Sequence, residues 1–179
     1  MQKKKALVLP ILMFLLPIAS RPADAGAIRV NLFTFHSADV PPSAEIVVGR
    51  VVFGSPSGAS SKRVTDWMVT VALQHAASNR EYLVYVEKDY WSGVYISIGL
   101  MTTSAYGNGS FHYNGQYGTT VAGYLGINGP GTYNLSICLN DVTGLTITNP
   151  VGDTLGQGIS VYLSAASSTS WSGSQVTLK

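Results

Sequence analysis

Apolar residues recur at every second position along most of this chain. In "VTDWMVTVAL", Trp67, Val69, Val71 and Leu73 alternate with Asp66, Met68, Thr70 and Ala72, the period-two signature of a half-buried strand. In "EYLVYVEKDY", Tyr82, Val84 and Val86 share one face, opposite Leu83, Tyr85 and Glu87. "VYISIGLMTT" sets Val94, Ile96, Ile98 and Leu100 on one side, and "TYNLSICLND" does the same with Tyr133, Leu135, Ile137 and Leu139. "GISVYLSA" supplies Ile159, Val161 and Leu163. Further strands are expected over Ala27 to Phe35, Ile46 to Phe53, Leu145 to Thr148 and Gln175 to Leu178.

Between these runs lie "PPSA", "GSPSGASS", "AASNRE", "WSG", "GNG", "INGPG" and "NPVGD", all rich in turn residues. No segment carries a convincing apolar stripe of helical period, the nearest being Val71 to Ala77. About nine short strands with no alternating helices predict an all-β fold, an antiparallel β-sandwich of immunoglobulin-like or jelly-roll type.

The N-terminal residues follow a different rule. Lys3, Lys4 and Lys5 precede the apolar run Ala6 to Ser20, and Ala23-Asp24-Ala25 forms a small-x-small cleavage pattern. That order predicts a secretory signal peptide over residues 1–25. The run is shorter than the ~20 residues that span a bilayer, and Pro10 and Pro17 interrupt it. The expected mature chain, residues 26–179, is then one exported domain with no membrane segment. Its strand-prone start, 26–42, ends at Pro41-Pro42 and is a candidate exchangeable strand, with Ile28, Val30, Leu32, Phe33 and Phe35 as its assembly residues.

Cleavage also changes the charge. The full sequence holds 11 Lys and Arg against 9 Asp and Glu; Lys3, Lys4, Lys5, Arg21 and Asp24 belong to the leader, leaving a formal net charge of −1. The basicity is a property of the leader, so no nucleic-acid partner is expected. Cys138 is the sole cysteine, which excludes an intrachain disulfide and leaves stability to packing and hydrogen bonds.

The stretch "TTSAYGNGSFHYNG" (102–115) tests the chemistry. A phosphate cradle requires a helix after the glycines, whereas here strand pattern continues, with Phe111 inward and His112 outward. Asn108-Gly109 predicts a type I′ hairpin turn. His36, His75 and His112 have no metal-ligand spacing, and no Gly-x-Ser-x-Gly elbow occurs. Glu87 and Asp89, with Asp66, read as a solvated acidic face rather than a glycosidase pair. No catalytic residues, metal site or cofactor are expected. The middle third is rich in Tyr and Trp, and Tyr90, Trp91, Tyr106 and Tyr117 are candidate aromatic contacts for surface glycans or for another subunit. Asn108-Gly-Ser and Asn134-Leu-Ser are glycosylation sequons.

Asn79, Tyr82, Val84, Thr103, Gly107, Gly109, Phe111, Gly131 and Tyr133 form a pattern similar to secreted immunoglobulin-like sandwich modules, with Ser78 where those modules carry proline. The resemblance implies an extracellular β-sandwich without catalytic residues. Separately, "FTFHSADVPPSAEIVVGRVVF", through Phe35, Ser37, Asp39 and Gly49, resembles the start of camelysin/TasA-like extracellular fibre proteins, although Ala38 interrupts their Ser-Asp pair. That likeness implies a surface or filament subunit. Together these readings predict a secreted, non-catalytic structural or adhesive protein that self-associates. The alternative is a monomeric carbohydrate-binding module.

Overall fold

The computed structural model describes residues 27–34, 46–54, 67–89, 92–165 and 173–178. Within them the alternating segments become nine strands: β1 (Ile28–Thr34), β2 (Val47–Gly54), β3 (Trp67–Leu73), β4 (Glu81–Lys88), β5 (Val94–Thr102), β6 (Gly109–Gly115), β7 (Gly131–Asp141), β8 (Ile159–Ala165) and β9 (Ser174–Leu178). All their pairings are antiparallel. The all-β, antiparallel expectation is therefore met.

The strands form one path, β5-β4-β7-β8-β1-β2-β3-β6, with β9 joined to β7 off that path. The path curls almost into a barrel around a single interior that includes Leu32, Phe53, Trp67, Tyr82, Val84, Ile137 and Leu139. Each of the aliphatic and phenylalanine side chains among them contributes about 1.5–3 kcal/mol by leaving water. The path's two ends, β5 and β6, approach through a glycine. A Cβ on Gly99 would stand 2.6 Å from Cε2 of Phe111, and Gly99 has φ +151°, so a larger residue would be displaced from this seam. A short helix, α1 (Thr120–Tyr124), is capped by the Thr119 hydroxyl and contributes Val121 and Ala122 to the interior.

Register shifts explain where simple alternation fails. Val84 pairs with Gly99 and Tyr85 with Ser97, leaving Ile98 as the extra residue of a β-bulge. Ile96, Ile98 and Met101 consequently face the interior, while Leu100 packs on the opposite side with Leu83 and Tyr85. In β8, Leu139 pairs with Tyr162 and Asn140 with Ser160, so Val161 is the extra residue. Tyr162 joins the interior and Ile159 is 75% exposed, against the uniform inward face expected for Ile159, Val161 and Leu163. A bulge inserts one residue on one strand and reverses the facing of all that follow.

Three further expectations are corrected. Leu145 to Thr148 is not a strand; it belongs to the connection between β7 and β8, where only Val151 makes an isolated bridge, to Ile98. Val71 to Leu73 lies in β3, and the helix is found at Thr120–Tyr124 instead. Asn108-Gly109 is not a hairpin turn, because β6 pairs with β3 rather than β5. The turn is Ser104 to Gly107, closed by Gly107 N–H donating to the Ser104 carbonyl at 2.9 Å. Gly107 has φ +71°, and a Cβ there would lie 1.9 Å from the Ala76 oxygen. The loop instead clamps the β3–β4 connection. Thr103 Oγ1 donates to the Ala77 carbonyl at 2.7 Å, and Ala76 N–H donates to Gly107 O at 3.1 Å.

Candidate functional site

The two halves of the sheet treat their outer faces differently. On β3 and β6 the outer positions Met68, Thr70, Ala72, Ser110, His112 and Asn114 are half-buried or exposed. On β4 five consecutive residues, Tyr82 to Val86, are buried. Their outward members Leu83 and Tyr85 form a second apolar cluster with Val142, and Tyr95, Leu100, Cys138 and Ile147 pack against it. The connection from Val142 to Gly158 makes this difference, because it folds back over β4 and β5.

That cover is fastened by polar groups. Asp153 N–H donates to Ser97 Oγ at 2.8 Å and Ser97 N–H to the Asp153 carbonyl at 2.9 Å. The Tyr85 hydroxyl donates to Asp153 Oδ2 at 3.0 Å and accepts from Gln157 N–H at 3.0 Å. Burial, reinforced by the Asp153 hydrogen bond, pushes the Tyr85 phenol well above its usual range. Gly152 N–H donates to Ser97 O at 2.9 Å, so the loop also satisfies part of the β5 edge that β6 leaves unpaired.

Beneath the cover lies a cavity of about 350 Å³, lined by Tyr85, Glu87, Tyr95, Cys138, Asn140, Ser160 and Leu163, with Gly93, Gly156 and Gly158 at the backbone. Tyr85 and Tyr95 meet edge to face, with centroids 5.7 Å apart and planes at 81°. Much of the polar lining is already engaged. Ser160 Oγ donates to Asn140 Oδ1 at 2.8 Å, Asn140 Nδ2 donates to Gln157 O at 2.8 Å, and the Cys138 thiol contacts Asn140 Oδ1 at 3.3 Å. Burial, with a smaller contribution from the Glu87 charge, pushes the thiol from its ordinary value near 9 up to about 11, despite the opposing hydrogen bond to Ser160. At neutral pH Cys138 is a protonated, weakly nucleophilic thiol.

The candidates read from the sequence fall elsewhere. Ile28, Val30, Leu32 and Phe33 lie on β1, which is hydrogen-bonded on both sides, to β2 and to β8. Val30, Leu32 and Phe33 are buried; Phe35 lies outside the described residues, as do Tyr90, Trp91, Asp66, Pro41-Pro42 and the predicted signal peptide. Tyr106 is 84% exposed on the clamp loop, whereas Tyr117 is half-buried and packs against the interior. The two sequons also differ. Asn108 is exposed, but Asn134 is half-buried within β7, opposite Gln175, and its Oδ1 is buried without a hydrogen-bond partner. Of the two, Asn108 is the more accessible, since β9 pairs alongside Asn134. Asp89, with φ 52°, turns off the end of β4 and stands 3.9 Å from Lys88 Nζ, so it does not extend Glu87's face. His112 bonds Thr70 Oγ1 and Asn114 Oδ1, each at 2.9 Å, on the open outer face.

The cavity was missed because its members are ordinary in sequence. Cys138 and Asn140 continue the polar side of β7 that Thr132, Asn134 and Ser136 begin, so nothing in the pattern sets them apart. Among the described residues, no group of three or more His, Cys, Asp or Glu could hold a metal ion, and no helix is long and apolar enough to cross a membrane.

No protein family matches the chain, and no curated protein matches it. In structure it is similar to a mutant of an SOD-like protein from Bacillus subtilis, at 12% identity and a TM-score of 0.42, over 76% of this chain and 95% of that one. Function must therefore be argued from this chain's own residues.

Proposed function

We propose that this chain is an exported, non-catalytic structural or adhesive subunit that self-associates at the cell surface by exchanging β1 between copies. The supporting observation is the place of β1 in the sheet. It is the first described strand, yet it sits between β2 and β8 and supplies hydrogen bonds to both. Val30, Leu32 and Phe33 bury their side chains there. A copy whose own β1 is withdrawn has two open ladders and an apolar slot, and the β1 of a neighbour satisfies both in the same register.

Cross-linking separates exchange from self-insertion. Arg29 pairs with Val52 in register, so R29C/V52C in a Cys138→Ala background places two thiols on facing strands. Oxidation after refolding at high concentration is expected to give a ladder of covalent multimers on a non-reducing gel. A single cross-linked monomer band at every concentration would rule exchange out.

The monomeric binding module is the second reading, favoured by the cavity beneath the Val142–Gly158 cover and by the exposed Tyr106 ring. A glycan array probed with wild type and Tyr106→Ala tests the surface-glycan form of that reading. Signal lost in the variant supports it, and a blank array removes it.

A further inference from the structure

Beyond strand exchange, and independent of it because β1 takes no part, we infer that Asn128 is a self-modification site, converted by its own backbone to isoaspartate and aspartate. The sequence holds three Asn-Gly pairs, Asn108-Gly109, Asn114-Gly115 and Asn128-Gly129. Glycine after asparagine favours this reaction, because no Cβ shields the attacking nitrogen and the backbone turns freely. Water is the sole co-reactant. The Gly129 nitrogen attacks Cγ of Asn128, closing a succinimide ring; the Cγ–N bond of the side-chain amide breaks, and ammonia leaves with the Gly129 amide proton. Water then opens the ring at either carbonyl. Opening at the side-chain carbonyl gives aspartate. Opening at the backbone carbonyl leaves the chain running through the former side chain, as isoaspartate.

The fold ranks the three pairs. Asn114 lies within β6, opposite Met68, and its Oδ1 is bonded to His112 Nε2 at 2.9 Å. A Cβ on Gly115 would stand 2.1 Å from the Trp67 indole, so this pair cannot rotate while the strand is in place. Asn108 is exposed but framed on both sides. Its N–H donates to Ser104 Oγ at 3.3 Å, its carbonyl accepts from Ser104 N–H at 2.8 Å, and a Cβ on Gly109 would lie 2.7 Å from the Thr102 oxygen. Asn128 is exposed in the connection between α1 and β7. A Cβ on Gly129 would meet nothing within 4 Å. Among the described residues, neither the Asn128 side chain nor the Gly129 N–H makes a hydrogen bond. The attacking nitrogen and its target are therefore both free. Fixed points flank them: Ile127 N–H donates to Ala122 O at 2.8 Å, and Gly129 O accepts from the Tyr133 hydroxyl at 2.6 Å. Isoaspartate places an extra backbone carbon between these points, together with a new negative charge, and so loosens the Tyr133 tie at the start of β7.

The test incubates the full chain, folded and in denaturant, in mildly alkaline water enriched in heavy oxygen. Peptide mass spectrometry then follows label entering each Asn-Gly pair and separates isoaspartate from aspartate. In denaturant the three pairs should react alike. In the folded chain Asn128 should lead, at a rate within about threefold of its denatured one, with isoaspartate the larger product. Asn114, which reacts only when β6 opens, should fall behind by about a hundredfold or more, with Asn108 between them. Gly129→Ala, for which the structure leaves room and which meets no positive φ, should slow the reaction at Asn128 by about fivefold or more. Asn108 or Asn114 leading in the folded chain would overturn the assignment. So would an unlabelled Asn128 beside a reacting denatured chain, or a rate unchanged in Gly129→Ala. None of these outcomes bears on the multimer ladder, so the two proposals fail separately.

Discussion

β3 and β4 are antiparallel strands of nearly equal length in the same sheet, yet they obey different rules. β3 alternates strictly between buried and half-buried residues, whereas β4 is buried at five successive positions. Their inner faces do the same work, since Val69, Val71, Val84 and Val86 all belong to one interior. The contrast lies outside: β3 and β6 meet solvent, and β4 lies under the β7–β8 connection. A strand covered on both faces reads as a continuous apolar run rather than an alternating one. "YLVYV" therefore announces a cover that "WMVTV" does not require.

The largest test of this contrast is Leu83→Ala. If the outer cluster is a true second core, the change should destabilise the protein by about 2–5 kcal/mol, as for an interior leucine, seen as a lower denaturation midpoint at unchanged slope. A loss below about 0.5 kcal/mol, the level of an ordinary surface change, would mean that the cover adds little. Tyr85→Phe comes next. It leaves Asp153 and Gln157 without the hydroxyl that joins them, at a cost of about 1–3 kcal/mol. The Gln157 amide should exchange with solvent markedly faster than the amides of β3, while the inner core keeps its protection.

pH supplies a third test. The folded-state value of Cys138 is raised from near 9 to about 11, so the unfolded chain releases its thiol proton first. Its contribution to stability is complete below about pH 9 and is lost as pH rises toward 11. The Tyr85 phenol, also raised, acts in the same direction. Chemical denaturation from pH 8 to 11 should show stability falling, and Cys138→Ala should flatten part of the fall. The smallest effect is expected on the open face. Thr70→Val removes the hydroxyl bonded to His112 in solvent and should change stability by no more than about 0.5 kcal/mol.

Legibility in the sequence follows the same division. On the open half, the period-two pattern of Trp67 to Leu73 and the facing of Phe111 and His112 were read correctly, because water on one side enforces alternation. On the covered half, both sides accept apolar groups, so the bulges at Ile98 and Val161 leave no mark in the pattern, and Leu100 and Ile159 were misplaced. The Asn108-Gly109 signal failed for another reason. Turn propensity is local, but β6 is drawn to β3 by a ladder of seven residue pairs, and the true turn formed where Gly107 meets Ala76. The cavity depends on strands and a loop from separate stretches of chain, which no local pattern connects.

The position of β1 has a consequence in time. Asn31 pairs with Ala165, so the first described strand cannot close its second ladder until residues 162–165 have been synthesised. Until then, β1 and the apolar side chains beside it wait with one edge open. Contacts so distant in sequence form late and slowly. The order of synthesis thus separates β1 from its second partner by most of the described sequence.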